Sequence, residues 1–108
     1  MTASERRREI YDALLVRRKD TAANLAAEFG VSERTIRSDI TELSRSYPFT
    51  TKQGRYGGGI EVENWFRPER KTLAPEQLAF LKKLAPTLEG EDLKILNSII
   101  AQFALQPF

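Results

Sequence analysis

The chain of 108 residues can hold one small domain with an appendage, and its net charge of +2 is too small to announce a nucleic-acid binder by itself. It has neither cysteine nor histidine, which excludes disulfides, thiolate nucleophiles and zinc fingers and removes the usual proton carrier of acid–base catalysis. An enzyme is therefore not expected, and no cofactor or metal is called for; no apolar run approaches the about 20 residues that cross a bilayer, so the expectation is a cytoplasmic protein without membrane contact.

Charge is distributed unevenly. Through Gly59 there are 11 Lys and Arg against 8 Asp and Glu, whereas Leu73 to Phe108 has 3 against 4. The basic excess lies in the first half, and it supports a nucleic-acid reading without deciding it.

Ser4 to Arg18 reads as a first helix, with Ser4 as cap and Ile10, Leu14, Tyr11 and Leu15 toward the core. Arg6, Arg7 and Arg8 invite a phosphate role, although a run of arginines near a helix start also suits a solvated face and opposes the dipole there. Arg17, Arg18 and Lys19 close the helix where cations are favoured. Asp20 and Thr21 make the next turn, with Thr21 capping a second helix.

The stretch Thr21 to Leu43, TAANLAAEFGVSERTIRSDITEL, reads as two helices around a tight turn. Leu25, Ala26 and Phe29 form a buried face, Gly30 allows the sharp turn, Val31 plugs it and Ser32 caps the following helix. In that helix Ile36, Ile40 and Leu43 recur at i, i+4 and i+7, so one stripe faces the core. Glu33, Arg34, Arg37 and Ser38 are left facing out near the N-terminus, with Thr35 at the boundary. This is a helix-turn-helix pattern, in which the start of the second helix meets base edges and arginine can bond both acceptors of guanine. Ser32, Ser38, Thr35 and the first-turn amides suit phosphate oxygens. The competing reading has Arg34 and Arg37 solvating a surface helix and pairing with Asp39 or Glu33.

Pro48 stops any helix, and Phe49 to Lys52 and Ile60 to Glu63 read as two short strands around a glycine-rich tip, the shape of a wing. The tip lacks the spacing of a phosphate-cradling loop and leads into a strand. A wing tip gives Arg55 a minor-groove role and Lys52 and Tyr56 phosphate roles. Asn64 to Thr72 breaks the pattern as a linker, in which Trp65 and Phe66 are apolar enough to pack on the wing or the first helix.

From Leu73 a helical hairpin is expected. Pro75, Glu76 and Gln77 suit a first turn, Leu78, Leu81, Leu84 and Leu88 continue an apolar face, Pro86 cuts the helix short and Gly90 separates it from the next. Leu93, Leu96, Ile99, Ile100 and Phe103 mark the last stripe, and Glu89, Glu91 and Asp92 sit where the helix dipole favours them. The fold expected is mainly α with a small β-hairpin: a winged helix-turn-helix over 1–63, a linker over 64–72 and a C-terminal helical hairpin over 73–108.

The run Ser32, Thr35, Ile36, Arg37, Asp39 and Ile40 resembles the Ser-x-x-Thr-Ile-Arg-x-Asp-hydrophobic signature of DeoR-type winged-helix regulators, a bacterial group, over about residues 4 to 63. The resemblance implies a transcriptional regulator that binds double-stranded DNA, acting as a repressor by occlusion. Full-length members of that group carry a large C-terminal effector domain, which these residues are too few to hold.

The hairpin is too small to bury its own faces, so it should pack on the winged helix or on a second copy. Two or three base-reading side chains at about 1–3 kcal/mol each fall short of the about 4–10 kcal/mol that separates specific from non-specific binding. A homodimer through the C-terminal helices, reading an inverted repeat, is the expectation. The alternative is a winged-helix module for a protein partner without sequence-specific DNA binding. Nothing beyond the apolar faces supports a small-molecule effector.

Overall fold

A computed structural model of the protein describes residues 1–52 and 59–104. The first helix, α1 (Ala3–Arg17), begins earlier than the spacing predicts, because Thr2 rather than Ser4 is the cap: its Oγ1 accepts from the Glu5 amide at 3.1 Å. Ile10 and Leu14, one turn apart, are both fully buried. Arg18 ends the helix in the left-handed region, φ 72°, and its amide donates to Leu14 O at 2.7 Å.

That turn sends the chain into a strand the sequence did not reveal. Lys19–Asp20 forms β1, whereas Asp20 was expected in a turn. Two residues are too few to show a period of two, and β1 exists because it pairs with a later strand. Thr21 then caps α2 (Ala22–Phe29), accepting from the Asn24 amide at 3.1 Å, and Gly30 ends it with φ 66°. A side chain at Gly30 would meet nothing within 4 Å, so the backbone angle, not space, calls for glycine. Next comes α3 (Glu33–Leu43), followed by β2 (Phe49–Lys52) and β3 (Gly59–Val62).

The expected hairpin is thus part of a three-stranded antiparallel sheet of order β1-β3-β2. Phe49 pairs with Val62 and Lys52 with Gly59, while Lys19 pairs with Glu61 and Asp20 with Ile60. The Val62 amide extends the ladder by donating to Arg18 O at 2.8 Å. Ile10, Leu14, Leu25 and Ile36 are fully buried beside Ala26, Ile40, Phe49, Ile60 and Val62. Each fully buried aliphatic contributes about 1.5–3 kcal/mol, against about 0–1 kcal/mol for an exposed ion pair, so packing sets where α3 sits.

The chain divides into two compact units, Met1–Asn64 and Trp65–Phe108. In the second, Trp65 and Phe66 meet edge-on with centroids 6.1 Å apart, and both are half-buried. α4 (Pro75–Leu84) starts with Pro75 and with Gln77 Oε1 accepting from the Ala74 amide at 2.8 Å, half of a capping box. Pro86 falls in a 3-10 turn, Ala85–Thr87, which ends this helix. Gly90 does not separate the helices as expected; with φ 61° it is the first residue of α5 (Gly90–Phe103). The Leu73 amide donates to Phe103 O at 2.7 Å, closing this unit's start on its end. Along the expected stripe Leu96 is buried and Leu93, Ile99 and Ile100 are half-buried, but Phe103 is 40% exposed in the last turn. Among the described residues, no helix is long and apolar enough to cross a membrane.

Candidate nucleic-acid interface

α3 has two chemically distinct sides. Its inner side carries Ile36 and Ile40, buried against α1 and α2, and also Asp39, which is fully buried. Asp39 is not the partner of Arg34 or Arg37. Arg6 grips it through Nε at 2.5 Å and Nη2 at 3.0 Å, and Arg7 Nε reaches its Oδ1 at 2.9 Å. Burial pushes the Asp39 carboxyl up, but the hydrogen bonds from Arg6 and Arg7 outweigh it and hold the group below the usual carboxylate range. Both arginines are therefore anchored on Asp39 rather than loose in solvent, Arg6 by two nitrogens and Arg7 by Nε alone; Arg8 is the most exposed of the three, 3.7 Å from Asp12.

The turn before α3 is held from both ends. The Val31 amide donates to Ala26 O at 3.1 Å, and Ser32 Oγ accepts from the Thr35 amide at 3.1 Å. The Ser32 and Thr35 hydroxyls are also 3.0 Å apart, and their mutual bond uses only one of two hydroxyl protons. One proton remains for an outside acceptor such as a phosphate oxygen.

On the outer side, Glu33, Arg34, Arg37 and Ser38 are all exposed. Arg37 pairs loosely with Glu33 at 3.7 Å, as the competing reading foresaw. Arg34 and Ser38 make no side-chain hydrogen bond or ion pair with any described residue. The geometry thus gathers Ser32, Glu33, Arg34, Thr35, Arg37 and Ser38 at one end of one helix, with the neighbouring helices behind it.

The hairpin root is fixed by aromatic packing that the sequence reading missed. Tyr11 of α1 lies 4.4 Å from Tyr47, centroid to centroid, and each is 6.1 Å from Phe49. These rings tie β2 to α1, and the signal was visible only as two neighbouring aromatics, Tyr47 and Phe49, far along the chain from Tyr11. Lys52 projects from the end of β2, 3.5 Å from Glu61 on β3, with 65% of its side chain exposed. Arg55 and Tyr56, assigned groove and phosphate roles, lie outside the described residues. A further bond set couples the end of α1 to α2: Arg17 reaches Asp20 at 2.8 Å and Glu28 at 2.6 and 3.1 Å.

A capped helix with an exposed basic face, packed on two helices and followed by a β-hairpin, is a winged helix-turn-helix. Residues 6–60 match the family model described as HTH domain, half of the chain, and the chain belongs to that family. An uncharacterized HTH-type transcriptional regulator, YobV of Bacillus subtilis (strain 168), is 45% identical over 67 residues, covering 60% of this chain and 21% of the relative. The imidazole glycerol phosphate synthase subunit HisF of Sulfolobus acidocaldarius is 30% identical over 84 residues, 78% of this chain and 34% of that protein. The chain spans about a fifth and a third of these two relatives. No solved structure matches it.

Proposed function

We propose that the protein is a sequence-specific DNA-binding transcriptional regulator of the DeoR type, with α3 in the major groove and the wing near the minor groove. The observation that carries this reading is the division of α3: the inner side is locked by Ile36, Ile40 and Asp39, and the outer side presents Arg34 and Arg37 together. Helices of this kind set their first turns against base edges, and two exposed arginines there match guanine and phosphate acceptors. Similarity to an HTH-type transcriptional regulator favours the same role. The chain acts by binding rather than catalysis, since it has no histidine or cysteine to move a proton or attack a substrate.

The regulator works as a homodimeric repressor in bacterial cytoplasm. Phe80 on α4 and Ile95 and Phe103 on α5 are 61%, 51% and 40% exposed, large apolar side chains whose burial against a second copy would be favourable. Selection of bound fragments from random-sequence DNA tests the reading, run on the wild type and on Arg34→Ala with Arg37→Ala. Wild type is expected to enrich a half-site, repeated in inverted order about one helical turn apart, and the double variant to lose it. Equal enrichment by both proteins, or none by the wild type, would sink the recognition-helix assignment and leave the protein-interaction module as the reading to pursue.

A further inference from the structure

The outward face of α3 does not stop at the residues that read bases. With about 3.6 residues per turn, Arg34, Arg37, Ser38, Thr41 and Arg45 fall within an arc of about 100°, and Arg45 lies only about 20° from the line of Arg34. Ile36, Asp39, Ile40 and Leu43 occupy the opposite arc, which is the side turned to the core. Although α3 ends at Leu43, Ser44 keeps right-handed angles (φ −67°, ψ −13°) and the Arg45 amide donates to Glu42 O at 3.3 Å. The chain therefore holds its helical course as far as Arg45.

Arg34 and Arg45 are separated along the axis by about 16 Å, whereas the major groove is about 12 Å wide. A helix set across the groove, with Arg34 over base edges, carries Arg45 to the far wall, where the acceptors are phosphate oxygens. The Arg45 side chain is 73% exposed, and its one ion pair among the described residues, to Glu42 at 3.6 Å, is long and solvated. Such a pair is easily exchanged for a phosphate. Thr41, between them, spends its hydroxyl proton on Arg37 O at 2.9 Å and so has none to donate to DNA.

We infer that Arg45 is a phosphate contact on the far wall of the major groove, setting the register of α3 without reading sequence. The inference rests on the DNA-binding reading above. It is tested by binding titrations over a range of salt, using the duplex enriched by the wild type and a random-sequence duplex of the same length. Arg45→Ala should weaken both by a similar factor, about tenfold for loss of one charge-assisted bond, and should lower the slope of log K against log salt by about 0.9. Arg45→Lys should retain the slope, and Arg8→Ala, equally exposed and paired but on α1, should leave it unchanged. Melting temperatures should be the same for all. If Arg45→Ala binds with wild-type slope while Arg34→Ala loses the enriched site, the inference falls and the DNA reading stands. A loss in Arg45→Lys as large as in Arg45→Ala marks a structural role and overturns it. Absence of salt-dependent binding by the wild type overturns the DNA reading and the inference together.

Discussion

The two sides of α3 use the same chemistry for opposite ends. On the inner side a carboxylate is buried with two arginines bonded to it at 2.5 to 3.0 Å. On the outer side Glu33 and Arg37 stand 3.7 Å apart in solvent and Arg34 has no charged partner among the described residues. Burial makes the difference. A pair sheltered from water cannot trade partners without a large cost, so it fixes geometry, whereas an exposed pair exchanges readily with water or a ligand. The inner pair holds the helix so that the outer arginines can be used.

Breaking the inner pair should give the largest effect. Asp39→Ala leaves two arginine head groups facing an apolar hole and is expected to cost about 3 kcal/mol, near the low end for buried pairs because Arg6 and Arg7 retain some exposure. Urea unfolding measures it, and a loss below about 1 kcal/mol, the scale of exposed pairs, would refute the structural role of this clamp. The same carboxyl predicts a pH dependence. Its folded pKa is lowered, so its contribution is full above the unfolded value of about 3.9 and is lost as pH falls through the folded value. Urea midpoints should therefore drop from pH 5 toward pH 3 in the wild type. Asp20, also lowered, adds to the fall, with burial opposing and the Thr21 amide and Arg17 favouring its charged form. Asp39→Asn should show a shallower profile.

A smaller effect is expected at the turn that presents α3. Gly30→Ala meets no obstacle in space but must adopt φ 66°, which costs a residue with a side chain about 1–2 kcal/mol. Melting of this variant separates strain from crowding: a loss above about 3 kcal/mol would mean that the added methyl meets something.

Much of this arrangement was legible because its signals are local. The caps Thr21 and Ser32, the glycine turn and the stripe of Ile36 and Ile40 act over three to seven residues, and periodicity captures them. What escaped depends on residues far apart in the chain. Asp39 looked like one more exposed acid, although it sits at the edge of the arc that holds Ile36 and Ile40; Arg6 and Arg7, more than 30 positions away, make its burial tolerable. β1 escaped for the same reason, since two residues have no pattern of their own and are a strand only because β3 lies beside them. Thr2 escaped differently: two hydroxyl residues flank Ala3, and either could cap the helix by composition.

The smallest predicted effect bears on what the outer side discriminates. Glu33 lies in the first turn of α3, where the dipole favours it, and pairs with Arg37 one turn on. Glu33→Gln should therefore cost only about 0.5 kcal/mol in stability, the worth of an exposed helical pair. Its consequence for DNA has a sign that depends on what the carboxylate does. If Glu33 repels phosphate and restrains Arg37, the variant binds random-sequence duplex more tightly and the enriched site about as before, so discrimination narrows. If instead it accepts a hydrogen bond from cytosine, the variant loses affinity for the enriched site and its preference changes at one base pair. The 3.7 Å pairing favours restraint, because a carboxylate already turned toward Arg37 has to be withdrawn from it before it can reach a base. Selection with Glu33→Gln reads the two outcomes directly: an unchanged motif at lower contrast supports restraint, and a single altered position overturns it.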